Sequence, residues 1–207
     1  MTLREKTKIV LELLDEHYPT ANKCFLNYSA PHELLFATIL SAQCTDDRVN
    51  AVTNNLFHKY PTLQAFACAD IVEMEEAIRS TGFYHNKAKH IIQSANMLLE
   101  IYGGEVPSGM DELTNLAGVG RKTANVIRSH IFQLPSIVVD THVKRVSFKL
   151  GLTNNTVPEK VEFDLMKLLP KEHWIRYNTQ IISHGRAICK ARTSLCGQCF
   201  FQLICKN

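Results

Sequence analysis

No stretch of this chain is an uninterrupted apolar run of membrane-spanning length, and the opening segment MTLREKTKIVLELLDEHYP is charged throughout. A secretion signal needs a bare apolar centre, so the expected location is the cytoplasm, away from any membrane. Strand alternation is missing as well. The only β-like run, SIVV at Ser136–Val139, is too short to build a sheet and is expected to cross between helical layers. Repeats and low-complexity linkers are absent, and 45% hydrophobic with 21% charged residues argues against disorder. Acid is lacking at one end: beyond Glu172 no Asp or Glu occurs, while Arg176, Arg186, Lys190, Arg192 and Lys206 remain. Such an end suits a polyanionic partner or offsets bound thiolates, and both readings stay open at this point.

What is present is helical periodicity in a chain of 207 residues, enough for one ample core or two small domains. Ile9, Leu13 and Leu14 form one stripe, and the run after Pro31, HELLFATILSA, reads as a buried helix. Val52, Leu56 and Phe57 mark a further face, followed by Ile71, Met74, Ala77 and Ile78. Ile91, Ile92, Ala95, Leu98 and Leu99 belong to a helix expected to stop at Gly103–Gly104. Asp140 and Thr141 read as an N-cap pair for a helix carrying Val143, Val146 and Leu150, stopped by Gly151. Pro158 opens another, through Leu169, and Pro170 closes it. Roughly ten short helices predict an all-α architecture with two lobes.

Within LAGVGRKTANVI (Leu116–Ile127) two cations follow a glycine turn at the start of a helix, where the helix dipole is unfavourable to positive charge. Gly118 and Gly120 are expected to take positive φ and bare their amides, making a cradle that a phosphate oxygen can enter. Arg121 suits the phosphate backbone. Lys122, one residue further round, has its ammonium form disfavoured by Arg121 and the helix terminus, which leaves a neutral amine able to attack an electrophilic sugar carbon and form a Schiff base. Asp140 follows eighteen residues later. If the crossing brings it back opposite Lys122, the pair supplies a nucleophile and an anionic partner; taken locally, Asp140 is an N-cap.

Seven cysteines fall into two groups. Cys24, Cys44 and Cys68 are scattered and read as small buried residues kept reduced. Cys189, Cys196, Cys199 and Cys205 follow the spacing C-x6-C-x2-C-x5-C, and four clustered thiols in a reducing compartment point to one metal centre. Zinc sites usually pair two short knuckles, whereas here there is one CxxC with wider flanks, so the spacing alone leaves zinc and iron–sulfur both open.

LAGVGRKTANVI followed by VVDTHVKRV resembles the helix-hairpin-helix DNA glycosylases with the Gly/Pro…Asp signature. Further matching stretches are LSAQCTDDRVN (Leu40–Asn50), STGFYHNKAKHI (Ser80–Ile91), GGEVP (Gly103–Pro107), HGRAIC (His184–Cys189) and the cysteine tail. The resemblance implies a bifunctional enzyme of base excision repair, which removes oxidised pyrimidines from duplex DNA and then nicks the strand 3′ to the abasic sugar by β-elimination. It implies Lys122 as the Schiff-base lysine and Asp140 as the catalytic aspartate. Gln43 and Phe83 fall on the family's gap-filler and wedge, and Gly118, Gly120 and Arg121 on its DNA-gripping hairpin.

The tail's spacing is that of the family's [4Fe–4S] cluster, with Lys190 and Arg192 on a basic loop shaped for phosphates. The implied lobes are a six-helix barrel at residues 24–134 and a cluster domain at residues 1–23 and 135–207. Double-stranded DNA with oxidised pyrimidines or abasic sites is the implied partner, met by a monomer on the bacterial nucleoid. Two positions depart from the pattern: Ala117 stands where many relatives have proline, and Phe83 where a smaller aliphatic residue is common. A non-catalytic DNA-binding hairpin has no use for both Lys122 and Asp140, and the adenine-removing relatives carry Ser at the lysine's place and Glu near Ala37.

Overall fold

The computed structural model describes residues 1–19 and 24–205; Lys206, one of the terminal cations named above, lies outside them. The described residues form eleven α-helices and three short 3₁₀ turns, with no strand. Helix α1 (Leu3–His17) opens one compact unit, Met1–Lys23 with Gln133–Asn207. The other, Cys24–Phe132, holds α2 (Pro31–Leu40), α3 (Asp46–Lys59), α4 (Leu63–Ala67), α5 (Ile71–Ile78), α6 (Tyr84–Tyr102), α7 (Met110–Asn115) and α8 (Arg121–His130). The first unit resumes with α9 (Thr141–Lys149), α10 (Pro158–Leu168) and α11 (Trp174–Ala187).

In the Cys24–Phe132 unit α2 is central. Every residue from Leu34 to Leu40 is buried, because α3, α6 and α8 all pack on it. A helix apolar all round requires such company. Pro31 begins it, and the Glu33 carboxylate accepts the Ser29 and Ala30 N–H groups at 2.6 and 3.1 Å, satisfying amides the helix start leaves bare. Helix α6 buries Ile91, Ala95 and Leu98 and ends where Gly103 turns left-handed and the Gly104 N–H reaches the Leu98 carbonyl at 2.8 Å.

Several stripes differ in detail from the sequence expectation. On α1 the buried face is Thr7, Val10, Leu11 and Leu14, with Ile9 and Leu13 at its rim. Thr7 can be buried there because its hydroxyl donates to the Leu3 carbonyl at 2.8 Å. On α3 the buried residues are Val49, Thr53 and Leu56, while Val52 and Phe57 are half-buried. Ile71 is exposed at the start of α5. Cys68, expected to be buried, is exposed because it caps the short α4 rather than lying on a packed face.

The other unit is built on α11, which packs against α9 and α1. Val10, Leu14, Val143, Val146, Leu165, Trp174, Tyr177 and Ile181 form its core. Tyr177 is wholly buried, and its hydroxyl shares a 2.8 Å hydrogen bond with Ser147. Residues 136–139 carry no strand; Ile137 and Val139 add their side chains to this core, and the Ser136 carbonyl accepts from the Asn178 amide at 3.3 Å.

Candidate functional site

Helix α7 stops at Leu116, whose carbonyl accepts the Val119 N–H at 3.2 Å and closes the turn into α8. The two glycines of this turn are not equivalent. Gly118 has φ +75, and a Cβ placed on it would come within 2.8 Å of the His90 side chain on α6. Gly120 is extended (φ −97, ψ 176), is the N-cap of α8 without a side-chain cap, and faces open space. Only Gly118 therefore takes the positive φ expected of both. The value of Gly120 is access: the first amides of a helix lack intrahelical partners, and nothing here obstructs an anion from approaching them. Arg121 is half-buried and Lys122 exposed, while Ala124 and Ile127 point inward and Ile131 is half-buried.

Elsewhere in the same unit, Gln43 and Phe83 share an unusual backbone. The turn after α2 is closed by the Cys44 N–H on the Ser41 carbonyl at 3.1 Å, with Gln43 at φ 54 in its third position, where glycine or asparagine is the usual occupant. Phe83 has φ 49 at the N-cap of α6 and is 65% exposed, so it is not a core residue. Non-glycine residues in this region cost of order 1–3 kcal/mol, and such sites cluster where a side chain must be held in one presentation. Lys87, in the first turn of α6, is buried; its ammonium donates to the carbonyls of Leu40 at 2.8 Å and Thr81 at 2.9 Å. Burial pushes that ammonium below the ordinary lysine range.

Asp140 lies in the other unit as the N-cap of α9, its Oδ1 accepting the Val143 N–H at 2.7 Å. One turn on, Arg145 Nη2 donates to the Cys189 carbonyl at 2.7 Å and to the Gly185 carbonyl at 3.2 Å, bracing α9 against the end of α11. The approach is close: a Cβ on Gly185 would stand 2.5 Å from His142 Nδ1. Cys189, Cys196, Cys199 and Cys205 all line one cavity of about 140 Å³, walled by Val146, Leu150 and Phe201 among others.

Burial, and then the negative charge of neighbouring cysteines, pushes the Cys199 and Cys205 thiols up. Four thiolates this close repel unless a cationic centre joins them, and the apolar walls suit a group shielded from water, so the donor set fits a thiolate-bound metal. Among the described residues no three His, Cys, Asp or Glu side chains already stand in ligating geometry. The buried His184 approaches Cys199 Sγ with Nε2 at 3.6 Å. Lys190 and Arg192 are exposed on the loop between the first two cysteines.

A family model described as the HhH-GPD superfamily base excision DNA repair protein matches residues 36–171. An endonuclease III of Synechocystis sp. is 50% identical over 205 residues, covering 99% of this chain and 93% of its own. The chain belongs to the HhH-GPD superfamily of base excision DNA repair proteins. Two solved structures described as endonuclease III bound to DNA, one a non-covalent complex and one a trapped covalent intermediate, superpose on it with TM-scores of 0.95 and 0.93. Each is 43% identical and spans 100% of this chain, and the chain covers 96% and 97% of theirs.

For this HhH-GPD protein the sequence-predicted residues fall into groups. Gly118, Gly120, Arg121 and Lys122 share the hairpin, and the roots of the Gln43 and Phe83 turns meet at one buried ammonium. Asp140 shares its unit with the four cysteines, Lys190 and Arg192. Residues that sequence reasoning missed are Lys87, Arg145, His142 and His184, all of which brace backbone or thiols. For Lys87 a signal existed: it sits four residues before Ile91, on the buried face of α6, where a lysine needs a reason.

Proposed function

We propose that this chain is a bifunctional DNA glycosylase and abasic-site lyase, acting as a monomer in the cytoplasm on the nucleoid, on duplex DNA that carries oxidised pyrimidines or abasic sites. Family membership, and the likeness to endonuclease III structures bound to DNA, support the class of reaction. The observation that carries the chemistry is the hairpin, where Lys122 stands exposed one residue inside a helix start that Gly120 leaves open. In this reading Gly118 shapes the turn, while Gly120 and Arg121 hold a phosphate. The Lys122 amine attacks C1′ of the damaged nucleotide. The N-glycosidic bond breaks, and the base leaves with the bonding pair and takes up a proton. The amine gives up a proton, and its lone pair then opens the sugar ring by breaking the C1′–O4′ bond, so that O4′ takes up a proton and a protonated Schiff base forms at C1′.

The iminium then acidifies C2′. Loss of a proton there expels the 3′ phosphate by cleavage of the C3′–O bond, and hydrolysis returns the free lysine. Asp140, held by its own helix start, supplies the carboxylate that offsets positive charge developing at the sugar. Gln43 and Phe83 enter the duplex as the base leaves the stack, an extrusion that costs a few kcal/mol and least at a damaged base.

Cys189, Cys196, Cys199 and Cys205 are the proposed ligands of a [4Fe–4S] cluster, which supplies a structural crosslink and takes no part in the base chemistry. The functional lobes are proposed as residues 24–134 and residues 1–23 with 135–207, a division supported by the compact units described above.

Borohydride trapping tests the nucleophile. Lys122→Gln should still bind a thymine-glycol duplex yet yield no covalent enzyme–DNA adduct when borohydride is added; persistent trapping assigns the attack to another amine. The visible spectrum of the purified wild-type protein tests the cluster, and a colourless, zinc-loaded protein rejects it.

A further inference from the structure

Lys87 poses a question that packing does not answer. It is 4% exposed, and among the described residues no carboxylate pairs with it. A methionine would fill the same volume without the cost of desolvating a charge. What the cation provides is its two acceptors. Leu40 is the last residue of α2, and Thr81 is the last of the 3₁₀ turn Arg79–Thr81. Carbonyls at such ends lack helical donors and lie at the negative end of the segment's dipole, so a buried ammonium is well matched to them.

Both carbonyls also sit at the roots of the two strained turns. Gln43 follows Leu40 by three residues; Phe83 follows Thr81 by two, after Gly82 at φ 70. One nitrogen atom therefore ties together two segments that are 41 residues apart in the chain and otherwise belong to different helical connections. Left-handed backbone at a glutamine and a phenylalanine persists only where the surroundings over-determine it. The tie supplies that determination at both places at once.

We propose that Lys87 is a positioning residue for recognition of the damaged duplex: its ammonium fixes the roots of the Gln43 and Phe83 turns in register, so that the two exposed side chains enter the DNA together. This rests on the reading of Gln43 and Phe83 as inserting side chains. Lys87 itself touches no substrate. Its contribution is to selectivity for a lesion over undamaged duplex, and phosphate gripping by the hairpin does not depend on it.

The test uses Lys87→Met in the full chain carrying Lys122→Gln, so that binding is read without turnover. Fluorescence anisotropy gives affinity for lesion and undamaged duplexes, and 2-aminopurine beside the lesion reports unstacking. The expected result is about a tenfold loss of lesion preference, a weaker 2-aminopurine signal and unchanged affinity for undamaged DNA. In a Gln43→Ala/Phe83→Ala background, Lys87→Met should add almost nothing. An unchanged preference overturns the inference, as does an equal loss in that background, which marks a merely structural role.

If Gln43→Ala/Phe83→Ala with Lys87 intact keeps full lesion preference, the insertion reading itself fails and carries the inference with it. Should Lys87→Met not fold, Lys87→Arg keeps the cation but displaces its donors, and the same comparisons decide.

Discussion

Gly118 lies so close to His90 that a side-chain carbon on the glycine would meet the histidine Cβ and Nδ1 at 2.8 Å. The turn between α7 and α8 is thus shaped against α6 as well as by its own backbone. Gly118→Ala combines a left-handed φ with that overlap and should destabilise the unit by about 1–3 kcal/mol, seen as a lower thermal midpoint. Gly120→Ala meets neither obstacle. It should cost at most about 1 kcal/mol through poorer capping, yet weaken DNA binding more than Gly118→Ala does per unit of stability lost, because the new methyl occupies the open approach to the helix start. Melting curves set beside anisotropy titrations on one duplex separate the two effects; equal losses of stability would contradict the assignment.

Asp140 is held by the α9 backbone, so its structural and chemical roles can be pulled apart. Asparagine caps helices about as well as aspartate, whereas alanine does not. Asp140→Asn should keep the thermal midpoint close to wild type and sharply reduce glycosylase turnover, while Asp140→Ala should lose about 1 kcal/mol of stability as well. If Asp140→Asn turns over normally, the carboxylate serves α9 alone.

Much of the framework was legible in the sequence where a single signal decided the outcome. The apolar run after Pro31 reads as a buried helix and is one, and the aspartate before THVKRV, read locally as a cap, caps α9. The misses share a cause: polar side chains buried with hydrogen-bond partners that an apolar pattern does not register, some a turn away and some far along the chain. Thr7 shifts the face of α1 because its hydroxyl bonds back to Leu3, and α11 shows no clean apolar stripe because Asn178, Thr179, Gln180 and His184 are buried on it. Lys87 shows in the sequence only as a lysine in register with the buried face of α6; what satisfies it, the Leu40 and Thr81 carbonyls, lies elsewhere in the chain. Likewise the difference between Gly118 and Gly120 depends on His90, which no local pattern in the hairpin reveals.

Acid sensitivity should arise in part from a carboxylate midway along α10 that ties the preceding loop to the helix. The Asp164 carboxylate accepts hydrogen bonds from the Thr153 hydroxyl and, at 2.7 Å, from the Asn155 amide, and these bonds hold its carboxyl below the ordinary 3.8. A carboxyl depressed in the folded state binds fewer protons there than in the unfolded chain. The stability it contributes is therefore complete above pH 3.8 and is lost as pH falls through the lower folded value. Urea midpoints measured from about pH 6 down to about pH 2 should fall less steeply for Asp164→Asn than for wild type below pH 4. Parallel curves would mean that the two bonds do not discriminate between the charged and neutral forms.

The loop between Cys189 and Cys196 should act through charge, and the cysteines through the loop. Each lysine or arginine that neutralises a phosphate adds about 0.9 to the slope of log affinity against log salt. Lys190→Ala and Arg192→Ala should each flatten that slope by this amount on undamaged duplex, leaving borohydride trapping at low salt intact, since the amine proposed to be trapped is that of Lys122. Cys199→Ser removes no positive charge, so its effect on the slope is diagnostic. If the four thiolates order the loop through a shared metal, the substitution should reduce bound iron and flatten the slope as the two alanine changes do together. Should iron content fall while the slope stays at its wild-type value, Lys190 and Arg192 meet the phosphates from a loop that needs no crosslink, and the ordering must come instead from Arg145, whose guanidinium grips the Cys189 carbonyl at 2.7 Å.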